Sequence, residues 1–305
     1  MSTLPSLDDL GIQAVTDKCS LAHDYLRHYD RVLGALRNEP ITLLEIGVFQ
    51  GGSLKVWEQY FSVAKIVGVD IREDCKQFEG GRKFVEIASQ ADPEAMAELG
   101  ARISPHVVID DGSHRADHIL ISFKTLFPFV QPGGIYIVED MAAHGGDNAQ
   151  RMRGEATISP QQYFLNFANR VVCPTEQVAV DRALFEMMDS VEFISGVVVI
   201  RKRGKPQEGH IAHCMTIAEQ VNSHWIWGWL SGYILRARGD LHQAVGCAQK
   251  ALDLSPSTNR HYLELAVALQ RAGRLDESVA IASKGLEIKG DPKARRRLEL
   301  LASKG

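Results

Sequence analysis

The stretch Ile41-Thr42-Leu43-Leu44-Glu45-Ile46-Gly47-Val48-Phe49-Gln50-Gly51-Gly52-Ser53 decides the fold. Its first six residues form a short apolar run that ends at a glycine, the mark of a buried strand. The glycines that follow let the backbone turn sharply and pass close under a ligand. Residues 51–61 then read as a helix, with Leu54, Trp57 and Phe61 on one face.

The same alternation continues outward. Residues 66–70, 83–87, 106–110 and 135–139 are further apolar runs separated by helix-like stretches. Short buried strands alternating with helices predict βαβ units and a parallel sheet. Residues 190–194 and 196–200 predict an antiparallel pair that finishes the sheet, and residues 21–37 predict a helix before it. A basic tract, Arg201-Lys202-Arg203-Gly204-Lys205-Pro206, reads as a solvated connector.

Beyond the connector the chain is expected to be wholly helical, with an internal period of 34 residues. Gly239-Asp240-Leu241 aligns with Gly273-Arg274-Leu275, and residues 248–252 align with 282–286. This resembles the tetratricopeptide repeat. Gly232, Ala244, Ala251 and Pro256 fall where that repeat wants small residues and a closing proline; the second copy has Ser278, Gly285 and Gly290 at the last three places. Segments 209–223 and 291–303 are expected to cap the pair, since two repeats alone bury little surface. The expected organisation is therefore a helical segment over the active site (1–40), an α/β domain (41–203) and an all-α repeat unit (209–305).

Composition bounds the function. The chain has 305 residues, 45% hydrophobic and 24% charged, ample for a large core. A formal net charge of −4 gives no electrostatic case for nucleic acid or an anionic membrane. Five scattered cysteines without a CxxC pair fit free thiols rather than zinc clusters or a disulfide framework. No secretion signal or bilayer-long apolar stretch is visible, so a soluble cytoplasmic protein is expected.

The loop spacing is neither Gly-x-Gly-x-x-Gly nor a Walker loop. Asp70 ends the second strand, where a carboxylate can accept from ribose hydroxyls, and Ser89-Gln90-Ala91-Asp92 follows the third. Together they favour a nucleoside ligand at the C-terminal ends of the strands. The fourth strand runs into Asp110-Asp111-Gly112-Ser113-His114 and the fifth into Glu139-Asp140. Parallel strands bring both to the cofactor's edge. Clustered carboxylates without cysteine suit a hard divalent ion, and a histidine beside them is a candidate general base. The plainer alternative is that strand-end acids cap the next helix or touch the cofactor; Asp110 is the candidate for that part. His118 reads as a supporting residue.

These segments, with Thr16-Asp17-Lys18, Pro132-Gly133-Gly134-Ile135-Tyr136 and Val138-Glu139-Asp140, resemble the class I S-adenosylmethionine-dependent methyltransferases. More narrowly they resemble the metal-dependent sugar O-methyltransferases of macrolide biosynthesis, the mycinamicin type, and their relatives annotated near cephalosporin hydroxylase. The resemblance implies a Rossmann-like sheet and an O-methyltransferase of a sugar hydroxyl on a glycan or glycosylated natural product. It implies S-adenosylmethionine and Mg2+ (or Mn2+) as cofactors, Asp111, Glu139 and Asp140 as metal ligands, and His114 as base. It places Glu45, Gly47, Asp70 and Gln90 at the cofactor, and the loop reading adds Gly51, Ser53, Ser89 and Asp110. Asp17 and Lys18 match a motif near the active site to which no contacts are assigned.

Three places depart from the family. Cys19 stands where glycine is usual, and Ser89 where an acid is frequent. Met141-Ala142-Ala143-His144-Gly145-Gly146 replaces an aromatic-containing loop beside the acceptor, so the acceptor is expected to differ. The expected partners are a sugar or glycan, with a protein or a second copy of the chain at the repeats; a homo-oligomer is expected. Two other functions stay open. One is methylation of a catechol or other small phenol, separable by an acceptor screen. The other is a scaffold with a degenerate methyltransferase domain, separable by calorimetry with S-adenosylmethionine. Trp225, Trp227 and Trp229 are expected mostly to pack between the repeats and their neighbour.

Overall fold

The structure is a computed structural model that describes residues 5–173, 180–204, 210–236 and 239–303. The chain divides into two compact units, Met1–Gly204 and Lys205–Gly305.

In the first unit, α1 (Leu7–Ala14) begins at a capping box in which Ser6 and Asp9 each satisfy the other's backbone N–H. The stretch after it runs through turns to α2 (Leu26–Leu33), which tightens into a 3-10 turn at Gly34–Leu36. The helix expected over residues 21–37 is thus shorter. Strand and helix then alternate: β1 (Thr42–Ile46), α3 (Gly52–Tyr60), β2 (Lys65–Asp70), β3 (Lys83–Ile87), α4 (Pro93–Ile103), β4 (Val107–Asp110), α5 (Ala116–Leu126) and β5 (Ile135–Val138). Short helices α6 (Ala149–Arg153), α7 (Pro160–Val172) and α8 (Arg182–Met187) lead to the hairpin β6 (Met188–Ile194) and β7 (Val197–Lys202). Arg201 and Lys202 of the expected connector belong to β7; Lys205 and Pro206 lie outside the described residues.

The seven strands lie in the order β3-β2-β1-β4-β5-β7-β6. The first five are parallel, and β7 runs antiparallel to both β5 and β6. Alternate residues feed two cores. Leu43, Ile66, Ile109 and Ile137 face the core shared with α1, α2 and α3, where Trp57 and Tyr29 are buried. Leu44, Val69, Val108 and Tyr136 face the other, filled by Phe123, Phe127, Phe164 and Phe167. Both faces being covered explains the near-continuous apolar strands. The order reverses direction between β1 and β4, so the loops after these two strands flank the crevice where such sheets hold ligands.

The second unit is helical throughout its described residues: α9 (His210–Val221), α10 (His224–Arg236), α11 (Leu241–Leu254), α12 (Asn259–Arg271), α13 (Leu275–Glu287) and α14 (Pro292–Ala302). Ala244, Ala248, Ala251, Ala266, Ala268 and Ala282 are fully buried, and small residues are what let the helices approach. A Cβ on Gly285 would come within 2.6 Å of Tyr262. The tryptophans divide: Trp227 is buried among this unit's own residues, whereas Trp225 and Trp229 are 39% and 60% exposed. Steps of two residues turn a helix by about 200°, so the three cannot share one face.

Among the described residues no helix is long and apolar enough to cross a membrane. The five cysteines are free thiols.

Candidate active site

The loops after β1, β2, β4 and β5 gather at the C-terminal edge of the sheet. Gly47, at φ +96°, is there because a Cβ would lie 2.1 Å from the backbone carbonyl of Asp111. It brings the loops after β1 and β4 into contact. Asp70 fixes the glycine loop, accepting from the N–H groups of Val48 (3.0 Å) and Phe49 (3.1 Å). Burial opposes its ionisation, but the backbone N–H groups of Arg72, Phe49 and Val48 outweigh burial and hold its pKa below the usual carboxylate range.

Several residues expected at the cofactor turn inward. Glu45 is fully buried; its Oε2 accepts from Ser53 Oγ (2.7 Å) and Trp57 Nε1 (3.0 Å). Burial pushes its carboxyl up to about 7, against the pull of Lys18. Asp110 is expected in the crevice but is buried in the sheet, accepting from Gln90 (3.0 Å) and Ser122 (2.5 Å). Burial raises it to about 6. Gln90 is spent on this pair, since its Oε1 also accepts from Ser113 N (2.7 Å). These side chains shape the loops from beneath and have few free atoms for a ligand. Ser89 is exposed, whereas Gly51, at φ +69°, is buried against Phe78.

The acids group differently from the expected set. Asp111, His114 and Asp140 present ligand atoms that all lie within 4.8 Å of one another, with His114 Nε2 3.3 Å from Asp140 Oδ2. The two carboxylates suit a hard divalent ion, and the imidazole beside them is placed to take a proton. Glu139 is buried beside it, with both carboxylate oxygens engaged. Lys18 Nζ lies 2.6 Å from Oε2, and the Tyr29 hydroxyl donates to Oε1 at 2.9 Å. Burial lifts the Glu139 pKa, with Lys18 opposing. Lys18 also bonds Asp111 and sits 3.7 Å from Glu45 Oε1. Burial alone would lower the lysine pKa, but Glu139, Asp111 and Glu45 together hold it well above normal. Tyr25 donates to Asp140 at 2.7 Å.

His114 (φ +56°) and Asp140 (φ +54°) are both left-handed, a conformation that costs energy for residues with a Cβ. His118 supports the first loop through Ser113 Oγ, 2.8 Å from its Nδ1. His144 is buried with Nε2 unpartnered; burial and the neighbouring His114 lower its pKa. Sequence reasoning missed Tyr25 and Tyr29 as neighbours of the acids and His144 as a neighbour of His114. The only hint is the four-residue spacing of the tyrosines, which puts them on one helical face.

No family model matches the chain. A demethylmacrocin O-methyltransferase of Streptomyces fradiae is 39% identical over 160 residues, covering 48% of this chain and 40% of that protein. A mycinamicin VI 2''-O-methyltransferase of Micromonospora griseorubida is 37% identical over 148 residues, 46% and 37% of the two chains. The solved structure of MycE methyltransferase from the mycinamycin biosynthetic pathway, in complex with Mg and SAH, superposes with a TM-score of 0.59 at 27% identity. It covers 68% of this chain and 55% of that one. The α/β unit has a class I methyltransferase fold. The chain spans about 40% of the length of the curated relatives it matches.

Proposed function

We propose that the chain is an S-adenosylmethionine-dependent, divalent-metal-dependent O-methyltransferase of a sugar hydroxyl on a glycan or glycosylated natural product. The observation that carries this is the grouping of Asp111, His114 and Asp140 beside the glycine loop, in a chain whose relatives include O-methyltransferases named for a rhamnosyl tetracenomycin-C and for L-olivosyl-oleandolide. MycE has also been solved with Mg, SAH and mycinamycin VI.

Asp70 and the backbone of the glycine loop hold the nucleoside. Asp111 and Asp140 hold the ion, joined by Glu139. When bound, the ion lowers the pKa of a coordinated hydroxyl. His114 would take the proton of the acceptor hydroxyl, and S-adenosylmethionine would supply the methyl group that the oxygen receives. Histidine bases of this kind contribute roughly 10²–10⁴-fold. We read the second unit as tetratricopeptide-like and as the place where a partner or a second copy docks; its buried alanines and 34-residue period support that reading.

The test is methyl transfer from labelled S-adenosylmethionine to deoxysugars, uronic acids and oligosaccharides, with and without Mg2+. Chelation should stop turnover and Mg2+ restore it. His114→Ala should lose at least 100-fold in turnover while binding the cofactor. No transfer to any sugar, with transfer to a catechol, would overturn the acceptor class.

A further inference from the structure

Each of the three proposed metal ligands is met by a donor from one short N-terminal stretch. Lys18 reaches Asp111 and Glu139, Tyr29 reaches Glu139, and Tyr25 reaches Asp140. The Lys18 side chain is 3% exposed, and its ammonium faces Glu45, Asp111 and Glu139 at once. Glu139 therefore cannot enter an ion's coordination shell on the oxygen that Lys18 holds. An ammonium and a divalent ion sharing those oxygens would also repel strongly in so dry a place.

We propose that Lys18 is a positioning residue: an internal cation that takes the ion's place on Asp111 and Glu139 in the ion-free chain and withdraws as the ion enters. This rests on the metal-dependent reading above. It couples metal loading to the segment that carries the lysine.

Within the segment Cys19 and Tyr25 are buried in the core, so the displacement falls on the Lys18 side chain and the turns beside it. On either side the segment is anchored, by Leu7 and Leu10 of α1 and by Leu26, Tyr29 and Leu33 of α2, all buried in the core. Between the anchors its backbone bonds are mostly its own. The Asp17 carbonyl accepts from His23, that of Lys18 from Tyr25 and Leu26, and that of Cys19 from Ala22 and Asp24. Ties run outward to α1 from Thr16 N to the Gly11 carbonyl (3.1 Å) and from Ser20 N to Asp8 (2.6 Å). Leu21 at its tip is 79% exposed. Three carboxylates, Glu45, Asp111 and Glu139, face this single ammonium, so replacing it by a divalent ion improves the charge balance of the crevice.

The experiment is calorimetric titration of Mn2+ into the full chain, without cofactor, for wild type, Lys18→Met and Lys18→Arg. Lys18→Met should bind Mn2+ at least tenfold more tightly, while Lys18→Arg stays within about threefold of wild type. Unchanged or weaker binding by a folded Lys18→Met overturns the proposal while leaving the metal reading intact. A wild type that binds no Mn2+ removes both. Because Lys18→Met strands the buried carboxylates of Glu45 and Glu139 and can fail to fold, amide exchange of the wild type is the second measurement. Adding Mn2+ should speed exchange across residues 18–25; unchanged or slower exchange overturns the displacement.

Discussion

At Glu45 the chemistry is decided by where the side chain is buried. Its carboxyl is pushed up to about 7 by burial, against Lys18 and the Ser53 hydroxyl, whereas an unfolded glutamate ionises near 4.3. The native state therefore holds the proton more tightly. Between about pH 4 and 7 it carries more protons than the unfolded chain, so stability falls as pH rises. At about 1.4 kcal/mol per pH unit, the gap is on the order of 4 kcal/mol. Glu45→Gln should remove this slope, which denaturant unfolding of both proteins at pH 5 and pH 8 measures. Equal slopes would mean that Glu45 titrates alike in both states.

The elements that hold the site meet at their loops, and Gly47 shows how little room they leave. A Cβ there would fall on the Asp111 carbonyl, and its φ of +96° suits glycine. Gly47→Ala should lower stability by about 1–3 kcal/mol and weaken cofactor binding with it, because parting the two loops also shifts Asp111. Thermal unfolding together with a cofactor titration checks both; a loss of stability with unchanged cofactor affinity would uncouple the loops. Strands were legible in the sequence because a sheet covered on both faces leaves unbroken apolar runs. The run at Lys83–Ile87 has the same limits in sequence and structure. Helices α1 and α7 carried usable signals too, the Ser6–Asp9 box and a serine cap before Pro160, but their short apolar faces did not raise a periodic pattern. The contacts of Lys18 were not legible. Its partners lie 93 and 121 residues away, and only the completed sheet brings them together. Gln90, Asp110 and Glu45 show the converse: their positions at strand ends were readable, but not that each would turn inward to bond another side chain.

At the scale of the whole molecule the chain is two compact units, and all the acids of the candidate site belong to the first. Residues 1–204 alone should therefore fold and bind S-adenosylmethionine within about threefold of the full chain, by calorimetry. A tenfold weaker site would mean that the helical unit helps to form it. In the second unit, the chain of hydrogen bonds from His224 through buried His261 to Glu264 (2.8 and 2.9 Å) is local to α10 and α12.

The left-handed backbone at His114 and Asp140 bears on how such a chain drifts over generations. Each position carries a standing cost of about 1 kcal/mol or more that glycine would remove. His114→Gly should melt at a higher temperature than wild type while turnover is lost, a trade that selection refuses only while the reaction is needed. A lineage released from that need gains by relaxing these two positions early. The residue found there in any descendant thus records whether the crevice is still in use.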